Sequence, residues 1–216
     1  MKRPIATRLP ILVLSLALAG LGACKSVKSS LTATPTAALG QRLPPLQLAA
    51  DPGPLVMNDG ALPEDPLRLF RAELQRNVME PTDTATYGYA RLVITKVHTS
   101  RTGRILQAIQ VFPLMMTPTL LGVPLEWYHT EMQAEVQVLD ASGEIIGTYT
   151  GQGTSKVKVA AYHGYSQKDA PRLADVLALR QALSQIRPQL DTASIRLRSR
   201  LLAGGAVDNP AVSSAH

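Results

Sequence analysis

Cysteine is almost missing from this chain: one residue in 216. A single cysteine excludes an intramolecular disulfide framework. The four histidines, His98, His129, His163 and His216, lie far apart with no partner at ligand spacing, so no metal site is expected. Aromatic residues make up 4%, with two Phe and one Trp, which argues against a stacking platform for single-stranded nucleic acid. The basic surplus is small once the amino terminus is set aside. Lys2, Arg3 and Arg8 fall in the first 23 residues, which hold no acid. Without them 19 basic residues face 16 acidic ones, a net of +3 instead of +6. No nucleic-acid partner is expected.

Catalytic patterns are missing as well. No Gly-x-Ser-x-Gly occurs. Ser166, close to His163 and Asp169, reads as a turn and helix cap rather than a triad. Glu131 and Glu135 share one strand face and read as solvated surface. Gly151-Gln152-Gly153-Thr154 is a lone Gly-x-Gly inside a strand, too little for a phosphate loop. Tyr162-His163-Gly164-Tyr165 reads as a loop packing its aromatics. The chain is expected to be no enzyme and to need no cofactor.

What is present begins at the amino terminus. A basic start is followed by an uncharged run, Leu9 to Ala23, whose apolar part is shorter than the ~20 residues a spanning helix needs. This is the pattern of a secretory signal. It ends on Leu21-Gly22-Ala23-Cys24, which resembles a bacterial lipobox. The only cysteine stands where lipidation uses one: its sulfur is the nucleophile that takes the diacylglyceryl group. The resemblance implies cleavage between Ala23 and Cys24, which removes 23 of 216 residues and leaves 193. It also implies acyl chains such as palmitate on Cys24, and two or more chains make anchoring stable. Lys25, where an Asp favours inner-membrane retention, points to the outer membrane and a periplasm-facing domain.

Residues 24–42, rich in Ser, Thr and Pro, are expected to form a flexible tether. Strand character follows over 43–48, and Leu55 to Met57 could add a short strand. Asp65 and Pro66 suit an N-cap and first helical position, with Leu67, Phe70, Leu74 and Val78 as the apolar stripe. Alternation predicts a strand over 87–98, with Val97 on the face of Tyr89, Arg91 and Val93, and Lys96 on that of Ala90, Leu92 and Ile94. Ser100 to Gly103 reads as a turn, with 104–112 returning as a second arm. Residues 127–139 alternate Met132, Ala134, Val136 and Val138 against Glu131, Gln133, Glu135 and Gln137, as in a sheet with one wet face. After a turn at Asp140 to Gly143, residues 144–162 return as a strand in which Gly147, Gly151 and Gly153 weaken the pattern or allow bulges. Asp169 and Pro171 open a helix with Leu173, Val176, Leu179, Leu183, Ile186 and Leu190 as its stripe, disturbed at its end by Pro188.

These elements predict an α+β fold: a two-layer sandwich with a mainly antiparallel sheet of four to five strands and two amphipathic helices on one face. The expected division is signal peptide 1–23, tether 24–42, one domain over 43–190, and a basic then disordered tail over 191–216. The element order, the hairpin around Asp140 to Glu144 and the helix reading Leu177-Ala178-Leu179-Arg180-Gln181-Ala182-Leu183 resemble small bacterial envelope lipoproteins of the CsgG and TolB amino-terminal-domain type. No functional residue carries over from that resemblance.

Two segments are candidates for contact. Ile105 to Leu125 is 21 residues without a charge, interrupted by Pro113, Pro118 and Pro124. It reads as a strand and core-capping loop, or as an exposed loop presenting Phe112, Leu114, Met115, Met116, Leu120 and Leu121 to a membrane, lipid or protein. Arg196, Arg198 and Arg200, with Arg187, form a basic cluster that suits anionic lipid or a solvated face. The expectation is a non-catalytic envelope lipoprotein, anchored to the membrane at Cys24. It would act as an accessory or assembly module on an envelope protein partner, through its sheet edge or the 112–125 loop. The alternative is a carrier of a lipid or other apolar ligand in a cleft between sheet and helices.

Overall fold

The computed structural model describes residues 37–60, 62–81, 85–103, 126–160 and 165–207. Strand β1 (Gln47–Asp51) leads through a 3-10 turn (Gly53–Met57) to helix α1 (Asp65–Glu73), whose last turn widens into a π-turn (Leu74–Val78). Then come β2 (Tyr89–Thr102), β3 (Glu126–Leu139), β4 (Ile145–Val159) and α2 (Ala170–Ala203). The sheet order is β1-β2-β3-β4. β1 runs parallel to β2 and the other pairs are antiparallel. The fold is α+β, with both helices on one face of a four-stranded mixed sheet.

Side-chain alternation decides which face is dry. In β3, Tyr128, Thr130, Met132, Ala134, Val136 and Val138 are buried, while the residues between them are only partly covered or exposed. β4 repeats this from Thr148 to Val159, with Thr148, Thr150, Gln152, Thr154 and Lys156 outward. Onto the dry face α2 lays Leu173, Val176, Leu179, Leu183, Ile186 and Leu190, and α1 adds Phe70, Leu74 and Val78. Leu67 is only half-buried; Leu69 is buried instead.

Several positions differ from the sequence expectation, each for a local reason. Leu43 makes only an isolated bridge to Met79, and the first strand starts four residues later, past Pro44 and Pro45. Residues 55–57 belong to the 3-10 turn. A bulge between Ile94 and Lys96 inverts the alternation of β2, so Val97 pairs with Met132 on the core side and Lys96 with Gln133 on the wet side. β2 continues to Thr102, through the expected turn. Gly151 and Gly153 are not weak points. A Cβ at Gly151 would lie 2.3 Å from the Ala182 carbonyl oxygen, and one at Gly153 1.8 Å from that of Ala178, so these glycines let α2 sit directly on the strand.

Both ends of the domain extend past 43 and 190. Ala37 N–H donates to Asn77 Oδ1 (2.9 Å), Leu39 is buried, and Gly40 N–H donates to Asp191 Oδ1 (2.9 Å), so residues 37–42 are bound to the fold. α2 runs through Pro188 to Ala203, and Leu197 and Leu201 are fully buried. Within the basic 191–202 segment Leu197 and Leu201 continue the buried stripe at helical spacing.

Candidate functional site: a buried polar seam and an open sheet face

Buried polar side chains gather in one row across the sheet, while others, such as Glu73, Asn77 and Ser194, are buried among the helices. Thr99 on β2, Thr130 on β3 and Ser155 on β4 are cross-strand neighbours on the dry face. Asp175 of α2 sits above them and Asn58 reaches in from the turn after the 3-10 helix. Thr130 Oγ1 donates to Asp175 Oδ1 (3.0 Å), and Asn58 Nδ2 lies 3.3 Å from the same oxygen and 2.9 Å from Thr99 Oγ1. Asp175 Oδ2 and Ser155 Oγ are buried with no hydrogen-bond partner among the described residues. Burial pushes the Asp175 carboxyl up to about 6, against the pull of its hydrogen bonds from Thr130 and Asn58. The row divides the large core from a smaller cluster of Tyr128, Val157, Val159, Ala170, Leu173 and Ala174.

Ion pairs flank the seam. Arg172 holds Asp65 through two hydrogen bonds (2.7 and 2.8 Å), so Asp65 serves as an ion-pair partner and makes no side-chain cap at the start of α1. Arg101 holds the fully buried Glu126 in the same way (2.7 and 3.2 Å) and lies 4.7 Å from the centre of the Tyr128 ring. These hydrogen bonds raise both guanidinium pKa values above the ordinary arginine range. Between Leu55, Asp65, Arg172, Asp175 and Leu179 the layers leave about 10 Å3, room for about one water.

The opposite sheet face is open. Lys96, His98, Glu131, Gln133, Gln152 and Thr154 line a shallow groove of about 560 Å3. His129 Nε2 lies 3.1 Å from Glu131 Oε1, and Lys156 Nζ stands 4.6 Å from the Trp127 ring centre. The mixed signs make this a wet contact surface. Among the described residues no group of three His, Cys, Asp or Glu side chains gathers to hold a metal.

The outer edge of β4 is occupied. Gln181, Gln185 and Gln189, spaced four apart on α2, reach its backbone: Thr154 N–H donates to Gln181 Oε1 (3.0 Å), Gln152 N–H to Gln185 Oε1 (3.0 Å), and Gln189 Nε2 to the Thr150 carbonyl (2.7 Å). Farther along, Tyr165 N–H donates to the Lys158 carbonyl. An edge strand covered in this way is a poor template for another strand.

Ala23, Cys24 and the contact-loop residues Phe112, Leu114, Met115, Met116, Leu120 and Leu121 lie outside the described residues. The loop's flanks are described: Thr102 and Trp127 pair, so the segment leaves and rejoins the sheet at the Arg101–Glu126 end. Nearby, the 3-10 turn exposes Val56 and Met57, the latter 90%. The arginine cluster is split. Arg198 donates to the Arg42 carbonyl (2.8 Å) and Glu80 (2.7 Å), and Arg187 pairs with Glu73. Arg196 and Arg200 are exposed. Ser166 and Asp169 bond to each other at the start of α2, as a turn does (2.7 Å).

Periodicity does not single out the polar seam, although its signals are present. Thr130 interrupts the apolar face between Tyr128 and Met132, Ser155 precedes Val157 on the dry face of β4, and Asp175 falls one turn before Leu179 in the stripe. In comparisons with known proteins, no family model and no curated protein matches this chain.

Proposed function

We infer that the chain is a non-catalytic envelope lipoprotein, anchored through Cys24, that works as a periplasm-facing accessory module through protein contacts. The observation that carries this reading is the run Leu21-Gly22-Ala23-Cys24 after a basic, then apolar, amino terminus, with the chain's only cysteine at the lipidation position. Support for the accessory role comes from the packing. Gly151 and Gly153 bring α2 onto the sheet, and the space between the layers at Asp175 is about one water in size, whereas an apolar carrier needs a cleft of ligand size there. The charged groups next to the seam are tied in bidentate ion pairs, not aimed at a shared open point. With the β4 edge taken by glutamines, the partner surfaces this reading favours among the described residues are the wet sheet face and the end carrying Val56, Met57 and the flanks of the 104–125 segment.

The test is intact and native mass spectrometry of the protein taken from its membrane in mild detergent. The expected result is a chain starting at an acylated Cys24, in a discrete complex with another envelope protein. Cys24→Ala is expected to abolish acylation and leave the signal uncleaved by the lipoprotein peptidase. Normal processing of that variant refutes the anchor. A lone acylated monomer carrying a further lipid supports the carrier instead.

A further inference from the structure

The chain joins the fold at one place on the helical layer. Ala37 and Leu39 are held by Asn77, Gly40 by Asp191, and the Arg42 carbonyl by Arg198. The described start of the chain therefore runs from Asn77, in the π-turn after α1, to Asp191 in the carboxyl-terminal half of α2. Cys24 stands 13 positions before Ala37, a reach of at most about 45 Å. An anchor at Cys24 raises the local concentration of lipid around this side of the domain above that of any other.

That side has the chemistry of an acidic bilayer contact. Ile195 is 72% exposed and Leu202 44%, and they lie seven residues apart on one line of the helix. Arg196 and Arg200, four apart, flank them, and both are exposed. Leu197 and Leu201 fill the core from the other side, so these last turns are apolar both inward and outward. Residues 192–203 contain three arginines and no acid. Arg198 is engaged inside the fold, while the carboxylate of Asp191 accepts Gly40. α1, in the same layer, presents Arg68, Arg71, Gln75 and Arg76 outward. The sheet face opposite mixes Glu131 and Glu135 with Lys96 and Lys156.

We propose that the helical layer, centred on Ile195, Arg196, Arg200 and Leu202, lies against an acidic phospholipid surface and turns the wet sheet face away from it. The proposal rests on the anchor reading. The arginines meet lipid phosphates and the two aliphatic side chains enter the headgroup region.

The test couples the mature chain through its Cys24 thiol to a maleimide lipid, so the anchor is supplied whether or not a cell acylates it. The described fold starts at Ala37, so loss of residues 1–23 removes nothing from it. The vesicles are phosphatidylcholine with about one third phosphatidylglycerol, or phosphatidylcholine alone, each doped with brominated lipid. The native reporter, Trp127, is on the wet face; Ile195→Trp with Trp127→Phe places the reporter on the docking face. The expected result is quenching at position 195 on the acidic vesicles, much less on the neutral ones, and none at Trp127 on either. Arg196→Gln with Arg200→Gln, in the Ile195→Trp background, is expected to lower the docked-to-free ratio roughly 30-fold, at about 1 kcal/mol for each arginine. Arg91→Gln on the wet face leaves it unchanged. Quenching of Trp127 but not of position 195, or of neither, overturns the proposal, as does equal quenching on neutral vesicles. Acylation in cells is read separately by mass. Acylated Cys24 without quenching removes the surface and keeps the anchor; quenching with unacylated Cys24 does the reverse.

Discussion

Asp175→Asn should stabilise this protein at neutral pH and remove a step from its pH profile. In the unfolded chain the carboxyl titrates at 3.8; in the fold, burial pushes it up to about 6. Below 3.8 both states hold the proton and the group contributes no difference. Between 3.8 and 6 the folded state keeps a proton that the unfolded state releases, so stability falls as pH rises through that window. Above 6 both states are ionised and the fold carries the full cost of the buried charge. The interval from 3.8 to about 6 corresponds to roughly 3 kcal/mol. Asparagine keeps the oxygen that accepts from Thr130 and Asn58. Its amide replaces Oδ2, which has no partner, and Ser155 Oγ in the same row offers an unused acceptor. The expected gain at pH 7 is therefore about 1–3 kcal/mol, the lower figure applying if the amide stays unbonded. Urea denaturation followed by circular dichroism from pH 4 to 8 measures it. The wild-type midpoint should fall across the window, while that of the variant stays level over the same range. Parallel profiles, or an Asn variant less stable than wild type at pH 7, would refute the argument. The oppositely shifted Asp140, held low by its hydrogen bonds to Ser142 and Glu144, loses its contribution as pH falls below the ordinary aspartate value and does not interfere.

Gly153→Ala is expected to cost about 3 kcal/mol or more, because its Cβ meets the Ala178 carbonyl and α2 must lift; the urea midpoint reports this, and a near-neutral result means the helix is not seated on β4. Arg101→Ala leaves the carboxylate of Glu126 buried and uncompensated, for a loss of about 3–5 kcal/mol, and adding Glu126→Gln should recover part of it. Gln181→Ala with Gln185→Ala frees two backbone N–H groups on β4 and should promote self-association, seen by sedimentation; a variant that stays as monodisperse as the parent argues that the edge needs no cover.

Much of the fold is legible along the chain. The alternation of residues 127–139 identifies β3 and its dry face, because a pleated strand sends successive side chains to opposite sides. The leucines of α2 at three- and four-residue spacing identify its buried line up to Leu190. The end of that helix is not legible in the same way: Pro188 reads as a disturbance near its end, since it lacks an N–H to continue the ladder. Contacts from elsewhere hold the helix beyond it, including Gly40 to Asp191 and Arg198 to Glu80. Val97 is misassigned for a related reason. One extra residue at a bulge inverts every later side chain, and nothing in local composition announces it.

Local pattern by itself determined the kinds of element, their order and most of their faces, because strand and helix periods are properties of the backbone. The proposed anchor likewise rests on a linear run, Leu21-Gly22-Ala23-Cys24, read by residue type alone. Only the tertiary structure decided which polar residues meet. Asn58, Thr99, Thr130, Ser155 and Asp175 come from four elements and a turn far apart in sequence, and their joint burial raises the Asp175 pKa. It also decided that Gly151 and Gly153 are a seat for a helix and that three glutamines close an edge. Proximity in space sets desolvation, close approach and hydrogen bonding, and no spacing along one segment encodes that proximity.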